Sequence, residues 1–177
     1  IAEQLNQSPM TEKEKIQKIY NYVKDNIVWD GEYYLYIDNL KNSFKTKSGN
    51  GTEVNSILLC ILHAAGISAD PVLISTRDYG ELQKEYCFLN QFNHMVVKAK
   101  TKDEKFNLDA TDQYRPFQLV DKNCLSIPGY VASEKKYYWT NIKNAVPSKS
   151  SLLYFLKLDN EDKVSGKLSY SCNNYLG

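Results

Sequence analysis

The sequence has no apolar run long enough to span a bilayer: its longest candidate, Ile57 to Ala65, is far too short and is interrupted by Cys60 and His63. Direct membrane insertion is therefore not expected. Charge of one sign is missing too. Twenty-two basic and 21 acidic residues leave a net charge of +1 with no basic run, so nucleic acid is not an expected partner. The four cysteines, Cys60, Cys87, Cys124 and Cys172, are scattered and form no C-x-x-C pair, which argues against a zinc centre. No metal and no cofactor is expected. Internal repeats, low-complexity tracts and a secretory leader are also lacking. The chain opens at Ile1 rather than Met, so it reads as a trimmed piece of a longer protein.

What is there suits one folded domain with a real core, plus a small appendage: 177 residues, 42% hydrophobic and 24% charged. Thr11 and Glu14 fit a capping box opening a helix to about Asn26, with Ile16, Ile19, Tyr20, Val23 and Ile27 on one stripe. The tyrosine-rich stretch from Asp30 to Ser43 reads as a short helix or a packed loop, and Lys45 to Gly51 as a breaker cluster. A second helix starts near Thr52. Its nearly unbroken apolar run marks it as buried and central, with Cys60 a small buried hydrophobe and Gly66 a left-handed cap.

A buried strand then spans Asp70 to Thr76, and Arg77 to Gln91 is long enough to be a binding loop or lid. Two strands, Phe92 to Lys100 and Lys105 to Thr111, flank the turn Thr101 to Glu104. With Thr101 and Lys102 at the tip, Lys98 faces Lys105, Val97 faces Phe106 and His94 faces Asp109. Residues so opposed share a face with Cβ atoms about 4.5–5.5 Å apart. That would place an imidazole beside a carboxylate, the orienting half of a catalytic triad. The plain alternative is a half-buried strand histidine and a turn-forming aspartate. No elements are assigned between Gln113 and Pro147. Leu152 to Leu158 and Val164 to Cys172 read as a hairpin.

The segments Ser48-Gly49-Asn50-Gly51-Thr52-Glu53, Ala64-Ala65-Gly66-Ile67, Asn93-His94-Met95-Val96-Val97 and Asn107-Leu108-Asp109-Ala110-Thr111 resemble, in order, the motifs of transglutaminase-like proteins. In that family a Gly-x-Cys turn opens the central helix. The likeness runs from about Lys13 to Asp121. It is narrower still to a bacterial subgroup whose core lies between two β-rich domains and whose members often lack the cysteine.

The resemblance implies an α+β fold of the papain/transglutaminase type, a buried central helix packed on an antiparallel sheet, over residues 1–147. The hairpin of 148–177 would begin a following β domain. His94 and Asp109 map onto the family's base and its orienting acid, but the nucleophile falls on Gly51, which has no side chain. In triad enzymes, loss of the nucleophile alone costs roughly six orders of magnitude in rate. The expected function is thus non-catalytic binding or scaffolding, toward protein or peptide, in a larger bacterial cell-envelope or periplasmic protein. The rival is an amide hydrolase or acyl transferase that uses another nucleophile, with Ser48, Thr52, Cys60 and Cys87 as candidates. Trp29 and Arg77 are candidate binding residues, Trp29 lining the cleft and Arg77 anchoring a carboxylate; core packing and a structural ion pair are their plain readings. His63 is assigned no role.

Overall fold

The start of the first helix follows from local chemistry. In α1 (Glu12–Asn26) the Thr11 hydroxyl accepts from the Glu14 N–H at 3.2 Å, and the Glu14 carboxylate accepts from the Thr11 N–H at 2.8 Å. Ile16, Ile19, Tyr20 and Val23 follow on one fully buried stripe. The structure, a computed structural model, describes residues 9–86, 88–134, 136–143 and 147–174, so Cys87 lies outside the described residues. The chain divides into two units, 1–144 and 145–177.

In the first unit, β1 (Val28–Trp29) pairs in parallel with β2 (Ser48–Gly49) and brackets the tyrosine-rich loop and α2 (Leu40–Thr46). The breaker cluster thus begins later than its composition suggests, because Asn39 caps α2 and the left-handed Lys47, at φ 61°, ends it. The central helix α3 (Gly51–Ala64) starts one residue before Thr52. Asn50 is its cap, in a second capping box with Glu53.

Residues 51–58 are all buried, but Cys60, His63 and Ala64 are exposed. This corrects the reading of Cys60 and of the whole apolar run as interior: the helix leaves the core face after two turns and keeps only Leu62 fully inside. His63 is tied to the Ala69 carbonyl at 2.7 Å.

Five antiparallel strands form the sheet in the order β5-β4-β3-β6-β7: β3 (Ser68–Ile74), β4 (His94–Lys100), β5 (Lys105–Leu108), β6 (Pro128–Ala132) and β7 (Tyr137–Asn141). The α+β class, with a central helix on an antiparallel sheet, is as expected. One core joins α1 and α3 to Val97, Ala99, Phe106 and Leu108. A second holds Val72, Ile74, Val96, Val131, Cys124 and Ile142.

Sequence pattern gives no sign of β6, which opens on Pro128 and Gly129, a pair typical of turns. Packing explains the glycine, since a Cβ at residue 129 would lie 2.7 Å from Val72 Cγ1. The second unit is the hairpin β8 (Ser150–Leu158) and β9 (Val164–Cys172).

The β4–β5 register differs from the expected one. Thr101 to Glu104 form the whole turn, so Lys100 pairs with Lys105 and Val97 with Leu108, a shift of two residues. A shift of one would have turned His94 and Asp109 to opposite faces; a shift of two keeps them on one.

Candidate active site

His94 begins β4 and Asp109 follows the last residue of β5, and both side chains are fully buried. Their nearest ionic atoms, His94 Nε2 and Asp109 Oδ1, are 3.6 Å apart, longer than a hydrogen bond, and neither ring nitrogen has a hydrogen-bond partner. Gly51, the first residue of α3, lies directly against the ring. A Cβ built on it would stand 2.8 Å from both Cε1 and Nδ1 of His94. The imidazole therefore occupies the room a side chain at residue 51 would need, and closes over the helix start. Tyr33 covers it from the loop side, with ring centroids 4.6 Å apart, and Trp29 lies 4.9 Å beyond Tyr33. The Trp29 indole N–H donates to the Glu32 carbonyl at 2.9 Å, and the Gly51 N–H donates to the same carbonyl at 3.0 Å. Trp29 thus packs on the Tyr33 ring that covers His94, and shapes the loop that roofs the site.

Asp109 is the hub. Its Oδ2 pairs with Arg115 Nη1 at 2.9 Å and accepts from the Asp121 N–H at 3.2 Å. Its Oδ1 accepts from Asn55 Nδ2 at 3.0 Å and Thr111 Oγ1 at 2.9 Å. Burial alone would raise the Asp109 pKa, but the Arg115 guanidinium, with help from His94 and Asn55, holds the carboxyl well below the usual range. Arg115 extends the network to Asp121 at 2.9 Å, and the Tyr20 hydroxyl donates to the backbone carbonyls of Asp109 and Arg115.

Asn55 and Arg115, both central to this network, are given no role by the sequence reading. Asn55 is readable as one of the polar residues in the first turns of a buried helix, one turn past Gly51. Besides Asp109 it bonds the Met95 carbonyl and the Ala110 N–H, at 2.9 Å each, and so ties α3 to both strands. Asn55→Leu should cost about 2–4 kcal/mol in urea unfolding, because buried polar groups lose partners at three points. A loss under 1 kcal/mol would mean that the strands hold Asp109 without it.

Cys124 was not singled out either. Its thiol is buried, and its sulfur lies with a His94 nitrogen and an Asp109 oxygen in a group whose atoms are all within 4.8 Å of one another. Burial, reinforced by Asp109, pushes its pKa up, which keeps it a neutral thiol. Those three residues could in principle hold a metal. The Asp109 oxygens, however, are already taken by Arg115, Asn55, Thr111 and the Asp121 N–H, and a guanidinium sits where a cation's charge would be needed. The donor set suits an internal ion pair, not a metal. Arg77 is not in this network: its side chain donates to the Leu125 carbonyl at 2.8 Å and ties two loops together.

Comparison with known proteins bears on the fold and the family. The chain is similar in structure to a Parabacteroides distasonis ATCC 8503 protein whose description is "putative protease", with a TM-score of 0.57 and 18% identity. That likeness covers 81% of this chain but only 27% of the other, and at such identity it speaks to the fold alone. No curated protein matches. The sequence model described as transglutaminase-like superfamily matches residues 1–110, where α1, α3, His94 and Asp109 all lie, and the chain belongs to that superfamily.

Proposed function

We propose that this chain is a transglutaminase-like domain without turnover, with a binding or scaffolding role toward protein or peptide inside a larger protein. One observation supports the reading above the rest. The His94 ring lies 2.8 Å from where a Cβ at Gly51, the residue on which the family nucleophile falls by resemblance, would stand, and it has no surface open to water. An imidazole so placed has no thiol at residue 51 to deprotonate and, being fully buried, no open path for substrate. Incubation with a glutamine peptide and a dansylated amine should give no product above the buffer rate. Turnover that disappears in His94→Ala would defeat the proposal.

A second reading has one observation behind it, the nearness of the Cys124 sulfur to His94 and Asp109. Here Cys124 would attack the amide carbonyl, with His94 taking the thiol proton and returning it to the leaving amine. Activity lost in both His94→Ala and Cys124→Ala would favour that reading. Its raised thiol pKa and full burial weigh against it.

A further inference from the structure

The outer half of α3 and the short helix α2 border an open apolar groove of about 450 Å³, floored by Ile57, Ile61 and Ala64 and walled by Leu40, Phe44 and Lys41. Phe44 is 41% exposed, and Ala64 and Cys60 also face solvent. Charge along the two helices that border it is one-sided, although the exposed Asp38 lies just before the first of them. From Asn39 to Ala64 the only acid is Glu53, buried in its capping box, against Lys41, Lys45 and Lys47. None of these three ammonium groups forms an ion pair with a described residue, and the Lys47 ammonium lies 4.1 Å above the Phe44 ring. A helix C-terminus favours cations, which accounts for Lys45 and Lys47. It does not account for Lys41, in the first turn, where a positive charge is disfavoured.

We propose that this groove binds an acidic amphipathic helix of a partner protein. Its floor runs from Ile57 to Ala64, about 10 Å at 1.5 Å per residue, which matches two turns of an apolar stripe. A small acyl ligand is the poorer fit. Such ligands bury most of their surface in an enclosing pocket, and two exposed helix faces cannot enclose one, whereas a docked helix brings its own polar outer face. Glutamates flanking the stripe meet Lys41 and Lys47 beside the groove, with Lys45 on the same short helix, and set its orientation. This inference does not depend on whether the His94 site turns over.

Cys60 lies in the groove and serves as the reporter. In a Cys87→Ser, Cys172→Ser background, the alkylation rate of Cys60 is followed with a capped peptide of about fourteen residues, leucine at i, i+3, i+4 and i+7 and glutamate beside them. A twin with lysine for glutamate is the control. The acidic peptide should slow alkylation about tenfold at saturation and the twin should not. Lys41→Glu, Lys45→Glu, Lys47→Glu together should weaken the acidic peptide about tenfold and admit the twin. Equal protection by both peptides, or indifference to the charge reversal, overturns the proposal. So does protection by decanoate alone, which assigns the groove to a small amphiphile, or protection that grows with protein concentration alone, which assigns it to a second copy.

Discussion

Arg115→Met is expected to destabilise the first unit by about 3–5 kcal/mol, because it strands the Asp109 carboxylate in the interior without its counter-charge. Asp109 is fully buried and Arg115 nearly so, at 2.9 Å, so little solvent screening softens the loss. Urea unfolding measures it. Asp109→Asn in the same chain should recover part of the cost, since the stranded charge is then gone, and a coupling of about 0.5–3 kcal/mol is the expected size.

The sign of the pH dependence follows from the same pair. Asp109 is held below its unfolded pKa, so its contribution is complete above the ordinary aspartate value of about 3.9 and is lost as the pH falls below it. In Arg115→Met the main depressing partner is missing, and the acid-side slope due to Asp109 should flatten. Additive single variants and an unchanged slope would show that the two residues do not act as a unit.

Gly51→Cys is expected to create a thiol with a pKa lowered from about 8.5 into the range of about 4–7, through the His94 imidazole and the start of α3. The new Cβ would stand 2.8 Å from the ring, so the imidazole must retreat within a site roofed by Tyr33. That overpacking should cost about 1–3 kcal/mol. The pH profile of alkylation, read with Cys60, Cys87 and Cys172 changed to serine, reports the thiol. Adding His94→Ala should return it to the ordinary value. An ordinary pKa in the presence of His94 would mean that residue 51 and the ring do not form a pair.

Elements governed by near neighbours were legible in the sequence. The Thr11–Glu14 box and the α1 stripe depend on residues three or four apart, and the spacing alone predicts them. The Asn50–Glu53 box was equally readable, but the apolar run drew the helix start to Thr52. Facing of His94 and Asp109 was readable although the exact register was not, because a four-residue turn moves the pairing by two and leaves the faces alone. Arg115 was not legible. It belongs to a stretch without periodicity, and its role exists only after residues 109–121 fold back on themselves. The open side of α3 was hidden for a related reason: hydropathy marks a residue as apolar but does not say whether anything covers it.

The strand order has a consequence for how the chain condenses. The helical core draws on three stretches of chain, Ile16 to Ile27, Val54 to Ala69 and Val97 to Ala110. The other core must wait for β6, whose pairing with Ile74 closes the loop 75–128, whereas β4 reaches the same strand across 75–93. The longer closure costs about 1 kcal/mol more in chain entropy. Entropy therefore orders assembly: the histidine's strand pairs early, and the pocket of Cys124 is sealed behind it.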